Sequence, residues 1–99
     1  MKRVLVVAAA ALVLGGCGNS KIDQAHGAIK RMLNDPDSAQ FRDDVVLENG
    51  RVCGEVNSKN KMGGYVGFLP YMFKEKQAPL IGQEDWQRET IREYCATKS

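Results

Sequence analysis

Beyond residue 20 the chain changes its hydrophobic period twice, and each change marks an element. Ile22, Ala25, Ile29, Met32 and Leu33 recur three and four residues apart and make one stripe of an amphipathic helix. Lys21, Asp23, Gln24, Lys30 and Arg31 fall on its wet face. Ser20 is placed to cap it, with Asp23 three residues on in a pattern like a capping box. Gly27 weakens it by up to about 1 kcal/mol relative to Ala. Asp35 precedes Pro36 and is pushed out of the helical region, so the helix is predicted to stop near Asn34. A single helical turn over residues 36–40 follows, with Pro36 at its first position, and sets Phe41 against the core.

The period then shortens to two. Val45, Val46 and Leu47 read as a strand, and Asn49-Gly50 as a type I′ hairpin turn, in which both central residues need positive φ. That register pairs Leu47 with Val52, Val46 with Cys53 and Asp44 with Glu55. It places Val52, Gly54 and Val56 on one face and Cys53, Glu55 and Asn57 on the other. A second connection spans residues 58–64, and residues 65–73 form the third strand, bent or weakened by Pro70. A loop containing Pro79 covers residues 74–81. Residues 82–96 make a closing helix, with Glu84 and Asp85 in the first turn, where the helix dipole favours negative charge. Ile91, Tyr94 and Cys95, flanked by Trp86, are its apolar group. The expected class is α+β: an N-terminal helix, a three-stranded antiparallel meander and a C-terminal helix.

The first residues read differently. Lys2 and Arg3 precede an unbroken apolar run of eleven residues, 4–14, too short for an ordinary membrane span of roughly 20 residues. Leu14-Gly15-Gly16-Cys17 follows directly and resembles the lipobox of bacterial lipoproteins. The resemblance implies diacylglyceryl transfer to the Cys17 sulfur, cleavage before Cys17 and acylation of the new amine. It divides the chain into a signal peptide (1–16), a lipidated tether (17–21) and one small domain (22–99). An ordinary secretory signal or an N-terminal anchor is the alternative. Two or more acyl chains hold a protein on a membrane stably, so the membrane is an expected partner through Cys17. Gly18 rather than Asp follows the cysteine, which by the same resemblance points to the outer membrane, facing the periplasm.

Loss of the signal changes the charge picture. The chain has 14 Lys and Arg against 12 Asp and Glu, and Lys2 and Arg3 leave with the signal, so the remainder is balanced. No basic patch or stripe remains to bind nucleic acid. A domain of this size buries a modest core and often needs a staple. With Cys17 taken by lipid, Cys53 and Cys95 are an even pair, and the periplasm is oxidising, which favours a disulfide. Closing that loop of about 43 residues is worth roughly 4 kcal/mol in the chain-entropy account. Two buried free thiols are the alternative.

Candidate chemistry is sparse. A metal site needs three or four ligands, His26 is the lone histidine, and there is no CxxC or HExxH, so no metal or cofactor is expected. His26 reads as a helix-flank residue beside the apolar stripe. Asp43, Asp44 and Glu55 read as solvated strand-edge carboxylates, with acid–base work as the sharper alternative. Tyr65, Tyr71 and Phe73 alternate onto one face of the third strand and Phe68 and Met72 onto the other. The glycine-rich stretch VCGEVNSKNKMGGYVGF has two readings. Gly63 and Gly64 allow a turn with positive φ and the Asn side chains brace it, or Asn57, Lys59, Asn60 and Tyr65 contact a ligand. It lacks the Gly-Lys-Ser/Thr ending of a P-loop.

DPDSAQFR at residues 35–42, followed by that stretch at 52–68, resembles a group of small exported proteobacterial and phage-borne proteins. The resemblance covers residues 35–73, implies a shared fold and brings no catalytic residues with it. The expected function is therefore non-enzymatic: a lipid-anchored protein that binds another envelope component through Asn57, Lys59, Asn60 and Tyr65. Inhibition of a cell-wall hydrolase and phage or plasmid exclusion are the alternatives. Known small lipoproteins that block lysozyme are all-β barrels, and two helical stretches argue against that group.

Overall fold

The computed structural model describes residues 20–96. Helix α1 spans Ser20–Lys30, a 3₁₀ turn Pro36–Ser38, strand β1 Gln40–Val46, β2 Val52–Asn57, β3 Leu69–Phe73, β4 Leu80–Ile81 and helix α2 Asp85–Ala96. The signal and Cys17 lie outside the described residues. The protein is α+β, with two helices and one antiparallel sheet in the order β1-β2-β3-β4. The sheet has four strands rather than three. The extra one, β4, lies inside the stretch read as a loop, where Tyr71 pairs with Ile81 and Met72 with Leu80. It is two residues long, too short for an alternating pattern to reveal.

Each face of the sheet carries one helix, because neighbouring residues on β2 point opposite ways. Val52, Val56, Tyr71 and Ile81 pack against Ala25 and Ile29 of α1. Cys53 and Met72 pack against Ile91 of α2 on the other side. That second cluster is small, and a covalent bond reinforces it. Cys53 and Cys95 form a disulfide with Cα atoms 6.2 Å apart, joining β2 to the end of α2. The bridge is the staple that a domain of this size calls for.

The β1–β2 register differs by one residue from the predicted one. Val46 pairs with Val52, Val45 with Cys53 and Arg42 with Glu55. Gly50 N–H donates to Leu47 O (2.9 Å) and Leu47 N–H to Arg51 O (2.8 Å), so the turn has three residues, not two. Such a turn needs one left-handed residue, which Gly50 supplies at φ +90°. Between Arg42 and Val45 the pairing slips by a bulge, with Asp43 at φ +59°. The extra residue turns Asp44 onto the α1 face. It is neither opposite Glu55 nor a solvated edge carboxylate.

Other boundaries moved for local reasons. β1 starts at Gln40, inside the predicted turn, and Pro36–Ser38 is shorter than expected. The segment before Leu69 is irregular apart from one bridge, Lys59 with Tyr65, so Tyr65 is not on β3. Pro70 sits within β3, where its carbonyl accepts from Gly82 N–H at 2.8 Å. After Lys30 the helix tightens, with Met32 N–H on Ile29 O and Leu33 N–H on Lys30 O. Met32 thereby leaves the apolar stripe and is 47% exposed.

Candidate functional site

The loop at residues 58–66 is built from its own polar groups. Asn60 is the hub. Its side-chain Oδ1 accepts from Met62 N–H (2.9 Å) and Gly64 N–H (3.1 Å). Its backbone N–H donates to Gly64 O, and its carbonyl accepts from Gly63 N–H. Asn57 Oδ1 accepts from Gly67 N–H at 2.9 Å and closes the far side. Lys59 N–H donates to Ser38 Oγ (2.8 Å), and the Tyr65 hydroxyl donates to Ser38 O (3.2 Å), tying the loop to the 3₁₀ turn. Lys59 Nζ lies 5.6 Å from the centre of the Tyr65 ring. Asn57, Lys59, Asn60 and Tyr65 thus come together, and their groups bond largely to this loop and its neighbours. Positive φ falls at Gly63 and Gly67, not at Gly64.

Beside the exposed Lys61, the loop presents apolar side chains. Met62 is 91% exposed, and Tyr65 and Val66 are each about half exposed. Beside them lies a pocket of about 140 Å³, walled by Met32 and Leu33 just beyond α1 and by Val66 and Ile81. Lys59 is its one charged lining residue. The loop also has a definite place in the fold. α1 begins beside the β1–β2 turn, where Lys21 Nζ reaches within 3.8 Å of the position a side chain at Gly50 would take. It ends beside the pocket. At about 1.5 Å per residue the eleven residues of α1 separate those two ends by roughly 16 Å.

A second polar constellation lies beneath α1. His26 Nε2 sits 2.9 Å from Asp44 Oδ2, and the Tyr71 hydroxyl donates to Asp44 Oδ1. The His26 ring stacks on Phe41 with centroids 3.7 Å apart, and Phe41 meets Tyr71 edge to face. Tyr71 is fully buried. Burial first, then the hydrogen bond to Asp44 and the carboxylate's charge, raise its pKa well above the ordinary value. Gly54 makes the arrangement possible. A Cβ there would lie 2.5 Å from Asp44 Oδ1 and 2.8 Å from the Tyr71 ring. Both Asp44 oxygens are engaged, and among the described residues no Ser, Thr or Cys side chain bonds to His26.

No protein family, curated protein or solved structure matches this chain. Among the described residues no three His, Cys, Asp or Glu side chains converge to hold a metal ion.

Two features escaped sequence reasoning. His26 is four residues after Ile22 and three before Ile29, and it lies beside the buried stripe as that spacing places it. Its link to Asp44 depends on the bulge, which no local pattern announced. Met62, the most exposed apolar side chain of the loop, did carry a signal: it stands alone between Lys61 and Gly63 in an otherwise polar turn.

Proposed function

We propose that this is a lipid-anchored protein of the bacterial envelope, held in the outer membrane through Cys17 and facing the periplasm, and that it binds another envelope component without catalysing a reaction. The observation that carries the reading is the loop tip: Met62 is 91% exposed on a turn that Asn60 braces through four hydrogen bonds. A rigid turn that presents an apolar tip contributes little to its own fold and much to an interface, because little ordering remains to be done on binding. Methionine suits such a surface, being flexible and polarisable. Lys59, Asn60 and Tyr65 rim the contact, and Asn57 holds its base.

The disulfide supports export, since such bonds persist in oxidising compartments. The reading is tested by placing a photo-crosslinking amino acid at Tyr65 in the full-length protein at native level in intact cells. One discrete adduct is expected. Adducts from other surface positions, with none from residue 65, would overturn it.

A further inference from the structure

The other face of the sheet holds a separate, larger opening. α2 packs on β3 and β4 and is tied to β2 by the disulfide, which leaves the β1 side of that face uncovered. The resulting groove is about 410 Å³. That volume falls in the usual range for small-ligand sites, roughly 300–1,000 Å³. Its floor is apolar, formed by Val45, Pro70, Ile91 and the bridge between Cys53 and Cys95. Val45 is 50% exposed there.

Opposite charges stand on the two walls. On α2, Arg88 and Arg92 are four residues apart, so they share one helix face and repel each other. Arg88 is occupied: it donates to Gly82 O, Gln83 O and Asp85 Oδ1. Arg92 is exposed and has no ion pair among the described residues. On the sheet side, Glu55 is bonded by Arg42 at 2.6 Å, and Asp43 has only that same Arg42, at 3.9 Å. The bulge directs Asp44 to α1 and leaves Asp43 on the groove. Arg92 and Asp43 thus both line the groove, one positive and one negative, and no ion pair joins them among the described residues.

This pattern discriminates between ligands. An acyl chain would strip water from both charges without replacing it. A phosphate would meet Asp43 and Glu55, and a bare cation would meet two guanidinium groups. A molecule with both charges and an apolar body satisfies every wall. We propose that the groove binds a short zwitterionic peptide, its carboxylate on Arg92, its ammonium on Asp43 and an apolar side chain over Val45 and the disulfide. The site is distinct from the 58–66 loop, so either can fail without the other.

The test is a titration of the isotope-labelled full-length protein in detergent with the tripeptide Ala-Leu-Ala, followed by amide shifts. Saturable shifts at Val45, Ile91 and Arg92 are expected. The N-acetylated and C-amidated forms should each bind about tenfold more weakly, the loss of one charge contact. Asp43→Asn should erase the penalty for acetylation, and Arg92→Gln the penalty for amidation. Absence of saturable shifts, shifts confined to other residues, or equal binding of the blocked forms would overturn the proposal.

Discussion

The cluster beneath α1 and the tip of the 58–66 loop make opposite impressions. His26, Asp44 and Tyr71 have the residue types of a catalytic site, yet the group is largely enclosed, with only His26 and Asp44 partly exposed. Both carboxylate oxygens are used, Tyr71 is buried, and the His26 ring is stacked on Phe41. The loop is chemically plain, yet it holds Met62 in the open. The difference teaches that reactive residue types mark function only when a bonding position or a surface remains free. By that measure the cluster latches α1 to the sheet, and the loop is the part we propose meets a partner.

The comparison can be broken from either side. The largest effect should come from the frame that both regions share. Reducing the bridge, or Cys95→Ser, should cost about 2–5 kcal/mol in urea unfolding. Gly54→Ala drives a methyl group into Asp44 and the Tyr71 ring. It should lose about 1–3 kcal/mol while leaving loop crosslinking intact below the unfolding midpoint. Tyr71→Phe strips Asp44 Oδ1 of its donor in a half-buried place and should cost about 1–3 kcal/mol. That variant also tests the alkaline limb. An unfolded chain releases the tyrosine proton near pH 10, whereas the folded protein keeps it. The stabilisation is therefore complete below about pH 10 and falls as pH rises beyond it. Wild-type thermal midpoints should decline more steeply there than those of Tyr71→Phe. Asn60→Ala releases two loop N–H groups and should cost about 1 kcal/mol, with hydrogen exchange rising mainly at Met62 and Gly64. Met62→Ser should change stability least, within about 0.5 kcal/mol, because its side chain touches solvent.

The legible parts of this fold were those with local causes. The stripe of α1 and the spacing of β2 were in the sequence, as was the pairing of Cys53 with Cys95 once export was argued. The turn at Asn49-Gly50 was placed correctly, but its type was not, and one residue of loop length moved the register by one. The bulge at Asp43 had the same character. Its cause is the fit of Asp44 between His26 and Tyr71, contacts 18 and 27 residues apart in the chain. β4 exists because β3 is there to pair with, not because Leu80 and Ile81 demand a strand. The loop residues Asn57, Lys59, Asn60 and Tyr65 were recognised as a group, though their composition could not say which atoms the backbone would use.

The decisive measurement combines both regions. Crosslinking from residue 65 in intact cells would be quantified in the Met62→Ser and Asp44→Asn backgrounds, each normalised to the amount of folded protein. The account predicts that Met62→Ser abolishes the adduct and Asp44→Asn, though less stable, keeps it. An adduct that survives Met62→Ser and vanishes with Asp44→Asn would contradict it and move the function to the cluster beneath α1.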